Sequence, residues 1–97
     1  MIVERTVFQA KYGRGDELVA LLQEGSELLA KYNIAPQRIL TDLTGDFFTV
    51  VMETEVEDLA TYEQSREAFQ DPEFGPWFQR MMDLVESGSR DFWNIVE

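Results

Sequence analysis

The chain has 97 residues, enough for one domain spanning positions 1–97. It contains no cysteine and no histidine, which excludes disulfides, thiolate chemistry, the commonest general acid–base and the usual haem or zinc ligand. A formal net charge of −11 repels phosphate backbones, so neither nucleic acid nor an anionic membrane is an expected partner.

A chain this short buries only about two-thirds of its unfolded surface. Aromatic residues at 12% help compensate, because each large ring buries much area. The sequence opens directly in a strand-like pattern, MIVERTVFQA, without a charged segment followed by an apolar one. No apolar run approaches the roughly 18 residues of a membrane span. The expectation is a soluble, cytoplasmic protein.

Met1 to Lys11 alternates as a strand, with Ile2, Thr6, Phe8 and Ala10 on one face and Val3, Arg5, Val7 and Gln9 on the other. Tyr12-Gly13-Arg14-Gly15 breaks it. Asp16 and Glu17 then open a helix, where their charges suit the positive end of the dipole. Leu18, Leu21, Leu22, Leu28, Leu29 and Tyr32 recur at helical spacing. Gly25 falls inside that pattern at a cost of about 1 kcal/mol against alanine; it makes room either for close helix packing or for a bound molecule. Lys31 lies in the last turn, and Asn33 can adopt the left-handed conformation that ends a helix.

Pro36 leads into a second strand, Gln37 to Leu43. Thr44-Gly45-Asp46 closes a hairpin onto a third, Gly45 to Thr54, so these two strands are antiparallel neighbours. The segment GDFFTVVMET is the strongest strand signal in the chain. Phe48, Val50 and Met52 line one side of it, and Phe47, Thr49, Val51 and Glu53 the other, so both faces are largely apolar. Thr54 and Glu57 have the spacing of a capping box, opening a second helix that runs to about Gln70. Asp71-Pro72 restarts the chain and Gly75-Pro76 follows. A third helix carries Phe74, Trp77, Phe78, Met81 and Val85 on one stripe, Gly88 stops it, and Arg90 to Val96 forms the last strand with Phe92 and Trp93 on opposite faces.

The order is β-α-β-β-α-α-β, which predicts an α+β fold: a ferredoxin-like split βαβ with a four-stranded antiparallel sheet. The first and third strands are expected at the centre, the second and fourth at the edges, with both helical layers on one side. The other side then carries Val3, Val7, Phe47, Val51 and residues of the last strand. An apolar patch of that size is uncommon on a monomer. A second sheet packed face to face would bury it, which predicts a homodimer through the sheet face.

This pattern resembles the dimeric α+β barrel superfamily, in particular the small antibiotic-biosynthesis-type monooxygenases and NIPSNAP-like proteins. The likeness is carried by the first strand followed by Tyr12-Gly13-Arg14-Gly15-Asp16-Glu17-Leu18, and by Val50-Val51-Met52-Glu53 through Leu59 and Tyr62-Glu63. Asp71-Pro72-Glu73-Phe74, and Gly88 ahead of the closing Phe92-Trp93-Asn94-Ile95-Val96, add to it. The resemblance implies a barrel formed by two subunits, with a ligand between sheet and helices of one subunit. Haem-degrading members use a second-helix histidine where this chain reads Tyr62-Glu63-Gln64-Ser65-Arg66. Their first-strand asparagine matches Thr6 and their tryptophan matches Met52, so that activity is not expected. Muconolactone-isomerase-like and dye-peroxidase-like chemistry has no identifiable counterpart, and no cofactor is implied.

The stripe Tyr62, Phe69, Phe74, Trp77 and Phe78, with Met81 and Met82, is the best pocket candidate, although core packing accounts for the same stripe. With Thr6, Phe8 and Met52 from the sheet it makes a candidate ligand site. Arg66, four residues after Tyr62 and three before Phe69, is either its cation, orienting a carboxylate or phenolate, or a solvated side chain. Glu53, if buried, needs a cation, which Arg5 or Arg90 could supply. Glu53, Glu55, Glu57 and Asp58 read as helix-dipole and surface charges, so no metal is expected. Gly13 and Gly15 are turn residues, since no phosphate-loop context surrounds them. The expected function is binding of a small aromatic or hydrophobic molecule between sheet and helices. The alternatives are a cofactor-free monooxygenase or isomerase, and an assembly domain without ligand.

Overall fold

Alternation in the first strand decides the layering. In the computed structural model, which describes every residue except Ala35, Gln37 and Glu97, β1 spans Ile2–Ala10 and turns Phe8 and Ala10 into the core. Gly13, at φ +80°, supplies the left-handed residue of the turn that follows. Helix α1, Gly15–Ala30, buries Leu18, Leu21, Leu22 and Leu28 along one stripe. Its end is the predicted one. Asn33 sits at φ +59°, its N–H bonds the Ala30 carbonyl, and the Ile34 N–H reaches back to Leu29, a Schellman closure.

Strand β2 covers Arg38–Thr41, shorter than the predicted Gln37 to Leu43, of which Gln37 lies outside the described residues. Gly45, at φ +100°, turns the connection to β3. Strand β3, Thr49–Val56, starts later than the predicted Gly45 because Phe48 adopts φ +60° and bends the chain away from the ladder. The Asp42 N–H bonds the Thr49 carbonyl and the Asp42 carboxylate accepts from the Thr49 N–H, closing the loop at its base. Phe47 therefore leaves the sheet face assigned to it and stands in the loop against Tyr12.

At its other end β3 runs on to Val56, paired with Ile2, so Thr54 is a buried strand residue and no Thr54–Glu57 capping box forms. Asp58 is the cap instead: its carboxylate accepts from the Thr61 N–H at 2.8 Å. Helix α2, Leu59–Ser65, gives way to a 3-10 segment, Arg66–Gln70. Asp71 accepts from the Glu73 N–H and leads into α3, Phe74–Met82. Strand β4 spans Val85–Asn94, five residues ahead of the predicted start. Val85 and Gly88, expected in and just after the helix, are both in this strand. Gly88 is opposite Phe8, and a Cβ there would stand 3.2 Å from the Val7 carbonyl oxygen. The glycine serves close strand approach, not a helix stop.

The sheet order is β2-β3-β1-β4, antiparallel throughout, with β1 and β3 central as expected. The core joins Phe8, Ala10 and Val50 of the sheet to Leu18, Leu21 and Leu22 of α1 and to Leu84. The opposite face carries Val3, Val7, Val51, Leu40 and Trp93. Across its middle runs a row in register, Arg38–Glu53–Arg5–Asp91. Glu53 accepts from Arg38 at 2.6 Å and lies 3.8 Å from Arg5. Of its two expected cations Arg5 is present, whereas Arg90 points to the helix side, because its register partner is Thr6. Among the described residues no helix is long and apolar enough to cross a membrane.

Candidate functional site

Between the sheet and the α2–α3 layer lies a cleft of about 560 Å³, within the size range of small-molecule sites. Strand parity supplies its floor. Glu4, Thr6 and Phe8 project from β1, Met52 and Thr54 from β3, and Gly88 and Arg90 from β4. The helical layer supplies the walls: Tyr62, Phe69, Phe74, Trp77, Phe78 and Met81, with Leu29 from the last turn of α1 and Ile34 from the turn after it. The Schellman closure fixes that last pair in place.

Trp77 is held firmly. Its indole N–H donates to the Leu21 carbonyl at 2.8 Å. A Cβ at position 25 would lie 2.5 Å from its ring, so Gly25 serves helix packing rather than a ligand. Phe74 lies 5.7 Å from Trp77 and 4.9 Å from Phe69, centroid to centroid, which makes a continuous aromatic wall.

The polar groups gather at one end. Arg90 Nη1 donates to the Tyr62 hydroxyl oxygen at 2.8 Å, and its guanidinium stands 5.6 Å from the Phe92 centroid and 5.9 Å from that of Tyr62. Tyr62 and Phe92 meet edge to face at 5.0 Å. Arg90 Nε is 3.9 Å from Glu4 Oε2, and the Glu4 side chain is only 13% exposed. Burial pushes the Glu4 carboxyl above its usual range, opposed by the Tyr62 hydroxyl and the Arg90 charge. Tyr62 is also raised, by burial first and then by the Glu4 charge and hydrogen bond.

Of the residues predicted for the site, Thr6, Phe8, Met52, Tyr62, Phe69, Trp77 and Phe78 all line this cleft. Arg66 does not. It lines a separate surface groove beside Tyr32 and Asp71 and pairs with Glu63 at 3.3 Å, since the 3-10 segment it begins turns it outward. Glu4 and Arg90 take the polar end instead. Both could have been found by parity: Glu4 shares a face with Thr6 and Phe8, and Arg90 with Phe92.

No protein-family model matches the chain, and no curated protein matches it. Solved structures do. An uncharacterized NIPSNAP domain protein from Burkholderia xenovorans superposes at TM-score 0.90 with 20% identity, over 99% of this chain and 95% of its own. A NIPSNAP family protein from Agrobacterium tumefaciens gives 0.87 with 17% identity, over 99% and 93%. SnoaB, a cofactor-independent oxygenase from Streptomyces nogalater, gives 0.75 with 14% identity, over 99% and 93%. The chain shares their fold. At these identities the likeness establishes architecture, and activity must be argued from the cleft itself.

Proposed function

We propose that the protein binds a small aromatic or hydrophobic molecule in the cleft between sheet and helices. The observation that carries this reading is the aromatic wall of Phe69, Phe74, Trp77 and Phe78 facing one polar cluster, Glu4, Tyr62 and Arg90, around about 560 Å³. Apolar walls with a few convergent polar groups are how such sites are built. Trp77 reports occupancy. In a Trp93→Phe background its emission should shift on titration with a panel of bicyclic aromatic compounds. An unchanged spectrum across the whole panel would remove the reading.

A second reading, a cofactor-independent oxygenase or isomerase, is favoured by the half-desolvated Glu4 carboxyl inside the cleft. A carboxyl raised by burial is a stronger base than a solvated one, and SnoaB, an oxygenase, has the same fold. Oxygen uptake with hydroquinones that Glu4→Gln abolishes would support it. Binding without uptake would leave a binding protein.

The uncovered sheet face is proposed as the seat of a second copy. Leu40 is 37% and Trp93 56% exposed there, beside the partly covered Val3 and Val7. The row Arg38–Glu53–Arg5–Asp91 alternates in sign. Two such rows related by a two-fold axis along the strands set every arginine against an acid, the self-complementarity an isologous dimer needs.

A further inference from the structure

The polar end of the cleft has a donor-to-acceptor sense. Arg90 gives its N–H to the Tyr62 oxygen, which leaves the Tyr62 proton for Glu4. Arg90 is 54% exposed and stands at the mouth, whereas Glu4 at 13% lies further in. The inner position is thus an acceptor, and the cation beside it, 3.9 Å away, stands out at the mouth and gives one of its N–H groups to Tyr62. A ligand carboxylate there would set a second negative charge beside a partly desolvated one, in a protein of net charge −11. A ligand O–H or N–H donates to Glu4 without that penalty, and bonds to an ionised acceptor are the stronger kind.

We infer that the cleft selects uncharged ring compounds bearing a hydrogen-bond donor, seated on Glu4, and rejects the corresponding carboxylic acids. This rests on the reading of the cleft as a ligand site. It reverses the role expected of Arg66, a cation that would welcome an anion.

Calorimetric titration of the full chain at pH 7 with 2-naphthol, 2-methoxynaphthalene and 2-naphthoate tests it, since the three share one ring system. The naphthol should bind about tenfold or more tighter than either of the others. Glu4→Gln, nearly isosteric, should bring naphthol and naphthoate to within about threefold of each other. Arg90→Gln, at an exposed position, should widen the gap by removing the only cation among the described residues that line the cleft. A methoxy compound that binds as well as the naphthol, a naphthoate that binds at least as tightly, or a gap unmoved in either variant would overturn the inference while leaving the cleft a binding site. Failure of all three compounds to bind would remove the site and the inference together.

Discussion

Gly25 shows how much one missing methyl group can decide. A Cβ there would stand 2.5 Å from the Trp77 ring, and the ring cannot retreat without losing its 2.8 Å bond to the Leu21 carbonyl. Overpacking at Gly25→Ala should cost about 1–3 kcal/mol against the roughly 1 kcal/mol that alanine gains as a helix former, a net loss of up to about 2 kcal/mol. Urea denaturation measures this, and a variant more stable than the parent would show that the helices slide apart freely. Glu4 acts through protonation. Its folded pKa lies above the unfolded value, so the folded state binds the proton more tightly. The resulting stability is fully present below about pH 4.3 and is lost as pH rises through the raised folded value. The parent should thus lose stability relative to Glu4→Gln as pH rises from about 4.3 through the raised folded value. Parallel profiles for the two proteins would contradict the burial of this carboxyl.

At the scale of elements, the extra length of β3 sets where α2 begins. Because Val56 stays paired with Ile2, the first residue free to cap is Asp58, and Tyr62 falls one turn later, over Phe92. Asp58→Ala should lower the melting temperature and speed amide exchange at Thr61 and Tyr62, whereas Glu57→Ala should leave both unchanged. Unaltered exchange in Asp58→Ala would mean that α2 is held by its packing alone. Hydrogen bonds from backbone N–H groups hold the Asp58 and Asp71 carboxyls below their usual range. Their stabilisation is present above about pH 3.9 and disappears as pH falls through the lowered values. The acid limb of the stability curve should therefore shrink in the Asp58→Ala, Asp71→Ala double variant. Helix α3 is held onto α1 chiefly by Trp77. The pairs Arg80–Glu24 and Lys31–Glu73 are exposed on both sides and contribute little. Trp77→Phe should cost about 1 kcal/mol or more, and Arg80→Ala distinctly less.

For the whole molecule, the question is what covers the second face of the sheet. The proposed dimer predicts that Trp93→Asp, at a half-exposed position, weakens self-association at least tenfold, by analogy with charge burial in an apolar contact, while circular dichroism stays unchanged. Arg38→Glu should also weaken association and make it less sensitive to salt. Sedimentation equilibrium reads both, and a parent that is monomeric at micromolar concentration would refute the dimer. The face is less apolar than the sequence implied. Phe47 leaves it for the loop, and the row built on Glu53 crosses it.

Much of this was legible along the chain because it depends on neighbours in sequence. Period-two alternation in β1 and β3, the leucine stripe of α1 and the left-handed Asn33 each follow from the local backbone and from which residues must leave water. Together with the aromatic stripe from Tyr62 to Met81 they determined the element order, the central strands and most of the cleft wall. What only the tertiary structure decided depends on partners far away in sequence. The pairing of Val56 with Ile2 moved the cap from Thr54 to Asp58. The approach of Gly88 to Val7 turned an apparent helix stop into a strand residue. The register of Arg90 against Thr6, not its distance from Tyr62 along the chain, put the cation into the cleft and left Arg66 outside. Hydrogen-bond ladders and close packing select among locally acceptable alternatives, because the free energy of a long-range pair outweighs the small differences in local propensity.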